Sequence, residues 1–246
     1  MEGDRGLIRF EVHTPLTDEY LCRHVEASLA LGLEEASVQA PRRQRLTVVA
    51  NGPSALQAPL GRSPTLAINN ALRLFVEHGL APDFWIASDP QELVAGFLRD
   101  APPMTTYLVA SKCHPAVFEA LQGRRVLLWH CAEPATMALL VGRLVVQTSI
   151  SVTLCALNLM PVLGFHRMEV WGWDGCYIAG RDHAVSQGHA RNDISVRLGP
   201  RRRFATTKTW AAEAEEAVRM FQATPRQVRI RGRGMIGAIL RQFALI

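Results

Sequence analysis

The chain contains no run of apolar residues long enough to span a bilayer, which argues against an integral membrane protein of the helical kind. Its first residues, Met1-Glu2-Gly3-Asp4-Arg5, carry acids and no apolar core segment, so the expectation is that no secretory leader is present. There are 5 cysteines, Cys22, Cys113, Cys131, Cys155 and Cys176, and none forms a Cys-x-x-Cys pair. Neither a zinc ribbon nor a disulfide framework is indicated, and reduced thiols in the cytoplasm are the simplest expectation. No Gly-x-x-x-x-Gly-Lys-Ser/Thr loop occurs, no full Gly-x-Gly-x-x-Gly follows a strand, and no Gly-x-Ser-x-Gly elbow is found. These absences argue against P-loop NTPases, dinucleotide oxidoreductases and α/β-hydrolases. The basic residues are not interleaved with aromatics, which places nucleic acid behind other partners.

What is present is a chain of 246 residues, 48% apolar and 20% charged, enough for a sizeable core and too apolar for global disorder. The net charge of +5 is concentrated at Arg42, Arg43 and Arg45, at Arg201-Arg202-Arg203, and at Arg226, Arg229, Arg231 and Arg233. Such clusters form either a solvated basic rim or a field that attracts a phosphorylated small molecule. Residues 1–44 read as a helical extension and linker. Thr17 is placed to cap a helix whose apolar positions are Leu21, Val25 and Leu29, and 41–44 form the linker. Residues 45–246 read as one domain with a helical tail.

Strand candidates within that domain are 46–50, 65–69, 83–88, 106–110, 125–130 and 168–173, with helical segments between them at 70–78, 90–99, 114–121 and 151–164. The last of these is apolar nearly all round and predicts a central buried helix. In the tail, Trp210, Ala214, Ala217, Val218 and Phe221 form an apolar stripe with Glu213, Glu215 and Glu216 off it, followed by a short strand near 228–230 and a final amphipathic helix. Periodicity disappears between 174 and 207, which predicts a long functional loop. Alternating strands and helices predict an α/β, Rossmann-like, mostly parallel sheet with helices on both faces and an N-terminal helical extension.

The strands end on Asn51-Gly52, Asn69-Asn70, Ser88-Asp89, Ser111-Lys112, His130-Cys131 and Trp173-Asp174. Parallel strands bring all of these ends to one edge of the sheet, where ligands of open α/β sheets bind. In the first turn, Gly52 permits close approach of a ligand, Pro53 fixes φ, and Ser54 is suited to cap a following helix. Ser149 and Ser151 open the buried helix, either as caps or as part of a phosphate site at its positive end. Asp89 and Asp174 are candidate Mg²⁺ ligands, with turn capping as the plainer alternative. His183 and His189, in the aperiodic stretch, are candidates for proton transfer, whereas His114, His130 and His166 read as structural.

Several of these blocks, taken in order, resemble the MptE-like domain. They are Ala50-Asn51-Gly52-Pro53-Ser54, then Ala67-Ile68-Asn69-Asn70-Ala71-Leu72, then His78-Gly79-Leu80-Ala81-Pro82-Asp83-Phe84 with Ser88-Asp89-Pro90. Thr148-Ser149-Ile150-Ser151, Leu163-Gly164-Phe165, Val170-Trp171-Gly172-Trp173-Asp174 and His183-Ala184 continue the series. The archaeal enzyme of that family is a 6-hydroxymethyl-7,8-dihydropterin diphosphokinase. The same blocks look like bacterial sialyltransferases that use a CMP-sugar, and like motility accessory factors. The resemblance implies a Rossmann-like fold and a nucleotide-dependent transferase, in the first instance one moving diphosphate from Mg²⁺-ATP to a pterin-like molecule. The alternative is a CMP-sugar-dependent glycosyltransferase. Carried over from the sialyltransferases, Asn51, Gly52, Ser54 and Asn69 would contact the nucleotide, Ser149 would face the donor, Asp174 would belong to the site, and His183 or His189 would act as base. Ile150 stands where the family has glycine, which motivates a third reading, a nucleotide-binding module without turnover. The expected partner in every case is a phosphorylated small molecule or nucleotide, with a homo-oligomer left open.

Overall fold

The structure, a computed structural model, describes residues 16–62, 64–186, 193–224 and 226–246. Helix α1 (Asp18–Ala30) begins where the Thr17 hydroxyl accepts the Tyr20 N–H at 3.2 Å. Asp18 and Glu19 favour the positive end of its dipole. From there the chain alternates. Strand β1 (Leu46–Val49) leads into β2 (Thr65–Ile68), α2 (Leu72–Glu77), β3 (Phe84–Ala87) and β4 (Thr106–Ala110). Then follow α3 (Pro115–Ala120), β5 (Arg125–Cys131), β6 (Val145–Val146), α4 (Val152–Val162) and β7 (Arg167–Trp171). An antiparallel pair, β8 (Asp193–Leu198) and β9 (Arg202–Thr207), precedes α5 (Lys208–Ala223), β10 (Gln227–Ile230) and α6 (Met235–Gln242).

One sheet of 8 strands, in the order β10-β7-β1-β2-β3-β4-β5-β6, forms the centre, and every pairing in it is parallel. All four residues of β1 are buried, as a strand covered on both faces requires. From β1 the chain moves outward to β6, then crosses back to lay β7 on the other side of β1. The direction of winding therefore reverses at β1, and the crevice of a doubly wound sheet opens at such a point. Helix α4 is buried around its circumference, including Leu154, Leu157 and Met160. Among the described residues no helix is long and apolar enough to cross a membrane.

The α1 region is docked onto the sheet. Helix α1 packs against α3. Past it, the Ala36 N–H donates to the Leu128 carbonyl at 2.7 Å and the Leu128 N–H to the Glu34 carbonyl at 2.8 Å, a short parallel pairing along β5. Glu35 accepts from Arg143 and contacts His130 Nε2 at 3.1 Å.

Two expectations about the elements are corrected. The stretch 174–207 is not one long loop, because β8 and β9 pair across it with Val196 opposite Phe204. Ile194, Val196 and Leu198 alternate with Asp193, Ser195 and Arg197, but only the apolar set is half-buried, so the period-2 signal is shallow. The segment 90–99 forms a 3₁₀ helix over Glu92–Leu98 rather than an α-helix. It is short, contains Gly96, and starts after an Asp89 turn in which Oδ1 accepts the Gln91 N–H at 2.9 Å. In α5, Glu213 and Glu215 lie off the apolar stripe and are nevertheless buried, Glu213 at the site and Glu215 in an ion pair with Arg219 at 2.6 Å.

Candidate functional site

Strand β1 runs out through Ala50 into Asn51-Gly52-Pro53-Ser54. The Gly52 N–H donates to the Gly172 carbonyl at 2.7 Å, and a Cβ at Gly52 would lie 2.4 Å from that oxygen. Only glycine fits this contact. Ser54 does not cap the 3₁₀ turn Pro53–Gln57, contrary to expectation. It faces inward instead, where its Oγ accepts the Gly172 N–H at 2.9 Å and its own N–H donates to Asp174 Oδ2 at 2.8 Å. The turn after β1 and the turn after β7 are thus one hydrogen-bonded unit, with Asp174 at its centre.

Asp174 is 1% exposed. Burial pushes its carboxyl above the usual range, and the bonds from Ser54 only partly oppose this. Its Oδ1 has no hydrogen-bond partner among the described residues. A carboxyl raised from an ordinary value of 3.8 stabilises the fold below that pH and loses the contribution as pH rises through its folded value. Asp174→Asn keeps the acceptor for Ser54 and removes the buried charge. It is expected to flatten the fall in melting temperature as pH rises above the ordinary carboxylate range. An unchanged slope in a pH series of melting curves would remove Asp174 as the source.

Asn51 is also engaged by the fold. Its Nδ2 donates to the Val185 carbonyl at 2.8 Å, its Oδ1 accepts the Val185 N–H at 2.9 Å, and its own carbonyl accepts the Ala184 N–H at 2.7 Å. Asn70 reaches the Ser186 carbonyl at 3.4 Å. These bonds lay 184–186 along the strand ends and carry His183 with them. The His183 ring stands edge-on to Trp210, with centroids 5.8 Å apart, and its Nδ1 lies 3.5 Å from Asp182 Oδ1. His189 lies outside the described residues.

A cleft of about 270 Å³ opens at this edge. Asn51, Gly52, Asn69, Asp89, Ser151, Asp174 and His183 all border it, so the polar strand ends do converge. Pro53 and Ser54 are buried beneath the turn, and Asn70 and Ser149 do not line the cleft. Asn69 adopts φ +47°, a left-handed conformation that asparagine tolerates better than most residues. Its carbonyl accepts the Trp85 indole N–H at 2.8 Å, while its buried Oδ1 has no partner among the described residues. Ser151 is the cap of α4, accepting the Thr153 N–H at 3.2 Å, and Ser149 Oγ accepts the Ser151 N–H at 3.2 Å. Ile150 is exposed on the cleft wall.

The far wall comes from α5, which motif reading did not associate with the site. Trp210 and Glu213 line the cleft. Glu213 accepts from Ser151 Oγ and from the Trp173 indole N–H, the latter at 2.6 Å. Burial raises its carboxyl above the ordinary range against those two bonds. A second buried polar group lies at the ends of β4 and β5. The Lys112 ammonium pairs with Glu133, and Glu133 accepts from Thr148 Oγ1 at 2.7 Å. Burial works against the Lys112 charge, but the Glu133 carboxylate paired with it outweighs burial and holds the amine protonated.

Asp89 and Asp174, the candidate Mg²⁺ ligands, each have one oxygen engaged by a backbone N–H. Among the described residues no group of three or more His, Cys, Asp or Glu side chains forms a metal cage. This donor set fits Mg²⁺ only with substrate phosphates completing the shell, which is how Mg²⁺ commonly binds.

A glycine turn at the reversal point of a parallel sheet, with a polar cleft over the strand ends, defines a Rossmann-like α/β protein. The chain belongs to the MptE-like family, whose model, described as 6-hydroxymethylpterin diphosphokinase MptE-like, matches residues 32–180. Among solved structures it is similar to the MAf glycosyltransferase from Magnetospirillum magneticum AMB-1, with a TM-score of 0.62 and 13% sequence identity. That likeness covers 95% of this chain and 42% of the other protein, so the chain spans less than half its length. At this identity the likeness is one of fold. No curated protein matches the chain.

Proposed function

We propose that the chain is a nucleotide-dependent transferase that moves a sugar from a nucleotide-sugar, of the CMP-sugar type, to an acceptor hydroxyl. The observation that carries this reading is the clamp of Asn51 on Val185, which holds His183 beside a cleft already lined by Asn69, Ser151 and Trp210. His183 takes the proton of the acceptor hydroxyl. The acceptor oxygen bonds to the anomeric carbon, the bond from that carbon to the phosphate oxygen breaks, and the electron pair leaves on the nucleotide phosphate. The start of α4 turns the positive end of its dipole toward that phosphate. Asn69 Oδ1, without a partner among the described residues, accepts from the nucleotide.

A second reading, diphosphate transfer from ATP to a pterin-like molecule, is supported by the description of the family. Asp89 and Asp174 would then hold Mg²⁺, which supplies neutralisation of the phosphate charge.

Melting curves with CMP and no metal, and with ATP and Mg²⁺, separate the two. A ligand at about 100 times its Kd stabilises by about 2.7 kcal/mol, several degrees for a chain of this size. A shift with CMP alone is expected. A shift only with ATP and Mg²⁺ moves the assignment to diphosphate transfer, and no shift with either removes both. Binding without product under single-turnover conditions would leave a nucleotide-binding module.

A further inference from the structure

The arginine clusters have no part in the cleft. The turn between β8 and β9 and the loop after β10 together form a separate groove of about 470 Å³. Arg201, Arg202, Arg203, Arg233 and Arg241 line it, Gly232, Phe204 and Ala238 complete it, and among the described residues no carboxylate does. All five arginines are exposed. None forms an ion pair among the described residues, whereas Arg45 and Arg231 both pair with Glu169. Arg203 donates to Ser195 Oγ at 2.6 Å, and Arg241 reaches the Ile230 carbonyl at 3.5 Å.

The hairpin register adds to the excess of charge. Arg197 lies directly opposite Arg203 in the β8–β9 pairing. Like charges in such a cross-strand pair destabilise a hairpin, and a bound anion relieves the repulsion. The groove and the cleft share no lining residue. They are nevertheless neighbours, because a Cβ on Gly232 would lie 2.6 Å from Ser54 Cβ and 3.1 Å from Asp174 Oδ1.

We infer that this groove binds a small anion carrying two or more phosphate groups. Guanidinium forks match phosphate oxygens in pairs, and five arginines lining one groove exceed what one phosphate can use. The volume lies within the range of about 300–1,000 Å³ usual for small-molecule sites. A nucleic acid would need a longer basic track with aromatic faces for stacking, and the one aromatic here, Phe204, is half-buried. The inference is independent of the reaction assigned to the cleft.

Calorimetric titration of the full chain with inorganic tripolyphosphate, at about 0.15 M salt, tests this. One site is expected, with orthophosphate about tenfold weaker or more. Arg202→Ser with Arg233→Ser should weaken tripolyphosphate about tenfold or more. Arg202→Lys with Arg233→Lys, which keeps the charge and loses the forks, should weaken it by a smaller factor. Saturating CMP should leave the affinity unchanged. Equal affinity in wild type and the serine pair overturns the inference, as does sulfate binding as tightly as tripolyphosphate. Competition by CMP would place the anion in the cleft and also overturn it. Tight binding of single-stranded RNA with none of tripolyphosphate would replace it with a nucleic-acid surface.

Discussion

Replacing Gly172 with alanine is expected to lower the stability of this protein by about 3–5 kcal/mol, and its melting temperature by roughly 10 °C. Gly172 has φ +73°, and a Cβ there would lie 2.2 Å from the Ala50 carbonyl oxygen and 2.9 Å from Ala55 Cβ. The left-handed backbone alone costs a side chain about 1–2 kcal/mol. The clash adds the larger share, because its partner is backbone at the end of the central strand. The same glycine accepts from the Gly52 N–H and donates to Ser54, so any relaxation also pulls apart the turn that floors the cleft. Gly123 provides the control, since it too has φ +73° but no atom lies within 4 Å of the position a Cβ would take. Gly123→Ala should therefore show the backbone cost alone. Equal losses for the two variants in calorimetric melts would mean that the turn yields easily and does not brace the cleft.

The second large effect is on turnover. His183→Ala is expected to reduce kcat by about 10²- to 10⁴-fold, the usual worth of a positioned acid or base. Nucleotide affinity should hold within about twofold if, as proposed, His183 reaches the acceptor rather than the donor. Single-turnover rates with matched binding titrations separate these quantities, and added imidazole should restore part of the lost rate. Unimpaired turnover would remove His183 as the base. A parallel loss of affinity would instead make it a wall of the nucleotide site, packed on Trp210.

The architecture was open to sequence reasoning because most sheet strands are buried on both faces. Such strands read as short apolar runs, and those at 46–49, 65–68, 84–87 and 106–110 are found within a residue of where the pattern places them. Convergence of Asn51, Asn69, Asp89 and Asp174 followed from the rule that parallel strands end on one edge. What the pattern could not tell was which of these polar groups the fold uses for itself. Asn51 and Ser54 look alike as turn residues, yet one holds the His183 segment and the other ties two turns together beneath the cleft. Glu213 lies off the apolar stripe of its helix and is nevertheless buried, because Ser151 and Trp173 supply donors from distant parts of the chain. Residues 34–36 have no strand-like composition, and their pairing with Leu128 depends on a free stretch of β5 that only the assembled sheet reveals.

Both margins of the sheet are arranged so that another chain finds little to extend. At one margin β6 is only 2 residues long, and the backbone groups of Leu128 beside it are already taken by Glu34 and Ala36. At the other, β10 carries Gln227 and Arg229 outward, and Arg231, exposed beside Glu169, follows it. A growing fibril would have to stack those guanidinium groups in register, one copy upon the next. The β-rich core of this protein is thereby protected against edge-to-edge polymerisation by charge at one end and by its own amino-terminal segment at the other.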